Sequence, residues 1–291
     1  MKKFIVLASI FLFSTVSIAQ TLEDIKWYTE DYPPYNYKEN GNVKGIAVDL
    51  LLALWKKAGL NKNAKDIKIV PWARGVKMIK TKPGTCLFST TLTSERKDVL
   101  GWKFVYPIPL ENEDPENHLI AKKSMKIIFG SSEDLLKYDG KYGVIRGDIG
   151  EGFLVEAGVN SANFDKAANS ISLIKKLDIG RYDIISFSFS TAVTKMKEVG
   201  IDPSKYEIIY SFPPKPMGFA FYHNTDAAIL KNCRMHWMLC TPMELQKQSD
   251  RNILRNDFFR APLKTNVLII QKYSKECSKN KFLIYLCANN V

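Results

Sequence analysis

Apolar and polar positions change their spacing along this chain, and each change marks an element. Ile25 to Tyr28 and Ile67 to Val70 are short apolar runs of strand length. Between them, Val48, Leu51, Leu52, Leu54 and Trp55 recur near helical spacing, which predicts a helix from Ile46 to Gly59 with the glycine as its stop. Trp72 to Lys80 reads as a helix and Thr85 to Phe88 as a strand leading into STTLTSERKD. The opening third is thus an alternating α/β pattern. Phe104 to Lys122 mixes proline with apolar residues and reads as a crossing segment. A second α/β series follows. It has strands at Lys141 to Ile145 and Tyr182 to Ser186, and helices at Ser170 to Leu177 and Thr191 to Val199. Extended segments at Tyr206 to Phe212 and Gly218 to Tyr222 flank Pro213-Pro214 and return the chain. Glu30 to Tyr35 is a loop stiffened by two prolines, and Asn40-Gly41-Asn42 marks a turn.

The first twenty residues follow neither period. Lys2 and Lys3 precede an apolar run from Phe4 to Val16, and Ser17-Ile18-Ala19 forms a small-x-small site. This is the form of an export signal cleaved after Ala19, too short for a membrane anchor. No Cys follows the run, so nothing marks a lipid-anchored protein. A periplasmic protein is expected. The formal charge of +12 falls to +10 once Lys2 and Lys3 leave, and favours anionic ligands or an anionic envelope surface. Export argues against nucleic acid as a partner. Of the five Cys, only Cys86 precedes residue 232, so the fold is not built on disulfides.

Three stretches, YPPYNYKENGNVKGIAVDLLLAL, VPWARGVKMI and TTLTSERKDVLGWKFVYP, resemble bacterial periplasmic solute-binding proteins of family 3, the amino-acid type. YGVIRGDIGEGFL and GRYDIISFS follow in the family's order, and the resemblance runs from about Ile25 to Lys231. It implies a two-lobed α/β fold of the type II periplasmic-binding kind, with two hinge crossings and a ligand cleft between lobes. The expected division is 1–19 signal peptide, 20–110 first part of lobe one, 111–212 lobe two, 213–231 return to lobe one, and 232–291 an atypical tail. The resemblance also implies a monomer that binds an amino-acid-like carboxylate and delivers it to an ABC transporter permease, with no cofactor, no metal and no enzymatic activity.

Arg96 can grip a carboxylate through two parallel charge-assisted hydrogen bonds, which Lys cannot reproduce. Thr91 can supply a hydroxyl and Ser89 a backbone contact. In the family these positions act with backbone donors of a turn in lobe two, here Gly147-Asp148-Ile149, where a helix start offers free N–H groups. Tyr32 matches a ring over the ligand, and Trp72 a cleft wall. Two departures stand out. Ser188 occupies the position where relatives keep an acid for the ligand's ammonium. Either Glu30, Asp148 or Glu151 replaces that acid, or the ligand is not an α-amino acid. Asp148-Ile149 stands where relatives often show Thr, and an Asp beside a carboxylate pocket repels an anion. A dehydratase similar to cyclohexadienyl dehydratase is the enzymatic alternative on this fold. It would need Glu30 or Asp148 as a cleft acid or base.

The stretch NCRMHWMLCTPM, Asn232 to Met243, offers soft sulfur beside imidazole, as a copper site would. It shows no clean apolar period. Reading the same codons from their third base forces Ala from Met235-His236, Asp from Trp237-Met238 and Gly from Met243-Glu244. The permitted shifted sequence KLQNALDALHADGTAKAIRQKY has helical spacing and an Asp-Gly turn. One lost A near Lys231 would produce the observed frame. The expectation is therefore an out-of-frame tail rather than a metal site, with a poorly folding, non-functional gene product as a further alternative.

Overall fold

The computed structural model describes residues 20–108 and 117–240. Residues 1–19, 109–116 and 241–291 lie outside it.

Five strands form the first sheet: β1 (Lys26–Thr29), β4 (Ile67–Ile69), β5 (Thr85–Thr91), β6 (Lys103–Ile108) and β12 (Met217–Phe221). A small hairpin of β2 (Tyr37–Glu39) and β3 (Asn42–Lys44) follows β1 around the Asn40-Gly41 turn. The sheet order is β4-β1-β5-β12-β6. β1 runs parallel to β4 and β5, while β12 is antiparallel to β5 and β6. The parallel pairs require crossovers, supplied by α1 (Ile46–Lys57) and α2 (Trp72–Thr81). Trp27 holds this lobe together, meeting Trp55, Phe219 and Phe221 edge-on at 5.6, 6.1 and 5.7 Å. Fully burying each such side chain contributes about 1.5–3 kcal/mol.

The second sheet has the order β11-β7-β10-β8-β9. Its strands are β7 (His118–Lys122), β8 (Tyr142–Ile145), β9 (Phe164–Ala167), β10 (Ile184–Phe187) and β11 (Tyr206–Ser211). The helices α3 (Ser132–Lys137), α4 (Ile149–Glu156), α5 (Ser170–Asp178) and α6 (Phe189–Glu198) accompany it. The chain leaves the first sheet after Ile108 and enters the second at His118. It returns between Ser211 and Met217. The result is the expected two-lobed α/β fold.

One expectation is extended and one corrected. First, Phe104 to Lys122 carries the crossing between the sheets, and it also holds most of β6 and all of β7, which pair in different sheets. The prolines obscured them because proline is rare inside paired strands. Second, residues 232–239 are not aperiodic. Helix α7 (Ala227–Leu239) runs through them. Ile229, Leu230 and Cys233 are buried, and Trp237 packs on Phe219 with ring centroids 5.3 Å apart. That stripe follows helical spacing and covers lobe one beside α1. The rest of the expected tail lies outside the described residues.

Candidate functional site

The site begins with the loop after β1. Gly45 has φ +123°, and a Cβ there would meet Tyr35 O at 2.4 Å. Glycine therefore lets the loop lie on the start of α1. The first N–H groups of α1, at Ile46 and Ala47, donate to Pro34 O (3.1 Å) and Tyr35 O (2.9 Å). These bonds satisfy donors that a helix start leaves unpaired and fix the loop. Asn36 Nδ2 donates to Glu30 O at 2.6 Å, and the Ser89 hydroxyl donates to Asn36 Oδ1. Tyr32 stacks on Tyr35 with centroids 5.6 Å apart.

The end of β5 supplies the polar floor. Ser89 is buried with φ +55°, an uncommon conformation for a non-glycine residue. Thr91 is buried, and its carbonyl accepts from Arg96 Nη1 at 2.8 Å. Arg96 sits in a π-helical turn, Glu95–Val99, and its N–H donates to Thr93 Oγ1 at 3.1 Å. Only 6% of Arg96 is exposed, and its guanidinium carbon lies 5.2 Å from the Trp72 ring and 5.9 Å from the Trp102 ring. Two indoles and a carbonyl hold the fork in one orientation, so little entropy remains to be lost when it binds.

Lobe two closes over this floor. Gly147, at φ +70°, turns the chain after β8, and α4 begins at Ile149. Gly150 packs against β10 so closely that a Cβ would meet Ser186 O at 2.4 Å. Trp72 Nε1 donates to Gly147 O at 2.7 Å, a hydrogen bond between lobes. Three further contacts join the lobes. Thr191 Oγ1 donates to Pro33 O at 2.6 Å, Lys195 Nζ pairs with Asp31 at 2.6 Å, and Phe187 meets Tyr32 edge-on at 6.0 Å. Lys195 also pairs with Glu198 of its own helix at 2.8 Å.

These elements converge on a narrow cavity of about 10 Å³, lined by Glu30, Tyr32, Trp72, Ser89, Thr91, Arg96, Asp148 and Ile149. Six of the seven side chains assigned from sequence therefore meet at one place. Ser188 is the exception and is not in the lining. Its hydroxyl caps α6, accepting from Thr191 N at 3.4 Å. Of the three candidate replacement acids, Glu30 and Asp148 reach the cavity. Glu151 is held by Gly147 N at 2.9 Å and by Lys166 Nζ at 2.5 Å. Burial pushes the Asp148 carboxyl above the ordinary carboxylate range, while Arg96 and the N–H groups of Ile149 and Gly150 pull it back.

Sequence reasoning missed the interlobe partners Asp31, Lys195 and Thr191, and the Asn36–Ser89 brace. No local signal marks them, since each pair is distant in sequence. The copper alternative finds no support in the described part of its stretch. Burial pushes the Cys233 thiol up to about 12, whereas a metal ligand must be the thiolate. His236 Nδ1 lies 2.9 Å from Asn232 O in its own helix. Among the described residues, no group of three or more His, Cys, Asp or Glu could hold a metal ion.

Residues 25–137 match the model of bacterial extracellular solute-binding proteins, family 3. The chain resembles that family. Solved structures extend the likeness over both lobes. An ancestral arginine-binding protein bound to arginine superposes with a TM-score of 0.63 at 22% identity, covering 78% of this chain and 96% of that one. An ancestral arginine-binding protein bound to glutamine gives 0.63 and 21%, covering 78% and 96%. A histidine kinase sensor domain with similarity to periplasmic binding proteins gives 0.63 and 17%, covering 79% and 93%. The arginine-, lysine-, histidine-binding protein of Geobacillus stearothermophilus gives 0.60 and 19%, covering 77% and 94%. At these identities the structures establish a shared fold. No curated protein sequence matches the chain.

Proposed function

We propose that this protein binds a small, amino-acid-like solute outside the cytoplasm by closing its two lobes, and hands it to an ABC transporter permease. The observation that carries the reading is the convergence on one cavity. Tyr32, Trp72, Ser89, Thr91 and Arg96 come from lobe one, and Asp148 and Ile149 from lobe two. A site divided between lobes links binding to closure, because a bridging ligand stabilises the closed form and not the open one. Arg96 takes the solute carboxylate, with Thr91, Ser89 and the start of α4 as further donors. Tyr32 and Trp72 exclude water, and Ser188 supports from beneath by capping α6. The protein acts as a monomer, cleaved after Ala19, without turnover.

A thermal-shift screen of amino acids and small carboxylates tests this. A bound solute raises the melting temperature as its concentration passes Kd. At least one amino-acid-like compound should do so, and its chemical form should be unchanged after incubation. Conversion to product would replace the reading with the dehydratase one, with Asp148 or Glu30 as the proton-transfer group.

A further inference from the structure

Tyr32 lines the cavity from lobe one, and the residues on either side of it are held by lobe two. Asp31, which precedes it, pairs with Lys195 Nζ at 2.6 Å. Pro33, which follows it, accepts from Thr191 Oγ1 at 2.6 Å. Thr191 and Lys195 both belong to α6 and lie four residues apart, so they share one face of the helix. Both are buried, Lys195 to 3% exposure. The Tyr32 ring itself meets Phe187, the last residue of β10, edge-on at 6.0 Å. The start of α1, by contrast, grips the loop farther on, at Pro34 O and Tyr35 O.

A ring that must sit over a solute works best when its backbone is already fixed, because freedom left in the loop is lost on binding. Holding Asp31 and Pro33 restrains the backbone of Tyr32 between them. The Lys195 ammonium suits this task. It is out of water, and two carboxylates share it, Asp31 at 2.6 Å and Glu198 at 2.8 Å. Glu198 lies on α6 itself, so it holds the ammonium from its own helix while Asp31 reaches it from the other lobe. The start of α6 is in turn secured by the Ser188 cap. Lys195 is not among the lining residues, so its effect on a solute passes through the loop. We propose that Lys195 is a positioning residue: acting through Asp31, and with Thr191 acting through Pro33, it places the Tyr32 ring in the cavity. This rests on the solute-binding reading above and adds to it the part played by the opposite lobe in building the lobe-one wall.

The test has a ligand-free arm and a binding arm. In the ligand-free protein, hydrogen exchange is followed in peptides spanning residues 30–36, with strand β5 as the internal reference. Lys195→Met should speed exchange at Tyr32, Tyr35 and Asn36, whose N–H groups bond within the loop, and leave β5 unchanged. The expected increase is about fivefold, the scale of one modest hydrogen bond. Asp31→Asn keeps Lys195 paired with Glu198 and should act the same way, and it serves if Lys195→Met does not fold. In the binding arm, calorimetry uses arginine and glutamine as probes. Lys195→Met should raise the Kd of whichever binds by about fivefold, and the same change in a Tyr32→Leu background should cost less than about twofold. A merely structural role would speed exchange in β5 as well and keep its full cost without Tyr32; either result would overturn the inference. Loop exchange unchanged within about twofold in both variants would also overturn it. Faster loop exchange with no binding of either probe would support the inference and count against the amino-acid reading.

Discussion

Arg96→Lys isolates the contribution of the guanidinium fork, because it keeps the charge and removes the geometry. In the wild type, Nη1 is spent on Thr91 O at 2.8 Å, and the Trp72 and Trp102 rings hold the plane from 5.2 and 5.9 Å. The plane of the fork is thereby set before any solute arrives. An ammonium on a flexible stem can still face a carboxylate, but it cannot make two parallel hydrogen bonds and satisfy Thr91 O together. Losing one charged hydrogen bond costs about 1.5–3 kcal/mol, or roughly a 10- to 150-fold rise in Kd. Calorimetry with the solute found by thermal shift measures this. Arg96 is 6% exposed, so the fold is also affected, by about 1 kcal/mol if the Thr91 carbonyl loses its donor. A melt of the ligand-free variant separates the two effects. Equal Kd values within twofold, in a variant that still melts cooperatively, would refute the role given to Arg96.

Trp72→Phe keeps most of the ring but removes the donor to Gly147 O, so closure should lose about 1 kcal/mol and Kd should rise roughly fivefold, read by calorimetry. Gly150→Ala places a Cβ 2.4 Å from Ser186 O and must move α4 or β10; a loss of about 1–3 kcal/mol in a denaturant melt, with weaker binding, is expected. The reading-frame account predicts that restoring one A near codon 231 gives a shorter chain that melts at least as cooperatively. Stoichiometric copper or zinc binding by the present chain, lost in Cys240→Ser and His236→Ala, would contradict that account.

The parts of the fold that were legible in the sequence share a physical reason. Helix α1 buries Val48, Leu51, Leu54 and Trp55 on one face, so its period is written in the residues themselves. Strand β5 is buried along its whole length, and the Cys86-Leu87-Phe88 run marks its first half. The segments that were misread gain their structure from partners elsewhere. Pro107 lies within β6, and the strand's pairing with β12 is a property of the sheet. In α7, Cys233 and Trp237 do the work usually done by aliphatic residues, and their unusual chemistry masked an ordinary helical stripe. The same division holds at the site. Arg96, Thr91 and Ser89 lie within one short motif and could be picked out together. The Lys195–Asp31 pair joins residues 164 positions apart, one in each lobe. Ser188 was assigned from its distance to Asp183, and that spacing cannot show which way a helix-capping hydroxyl turns.

Small-angle X-ray scattering, on ligand-free protein and on protein saturated with the solute that calorimetry identifies, tests cleft closure most directly. The account predicts a smaller radius of gyration with solute, and a contraction of Arg96→Lys that needs roughly 10- to 150-fold more solute. A saturated wild-type protein whose scattering profile is unchanged and matches an open form would contradict it, because the solute would then occupy a site that does not bridge the lobes.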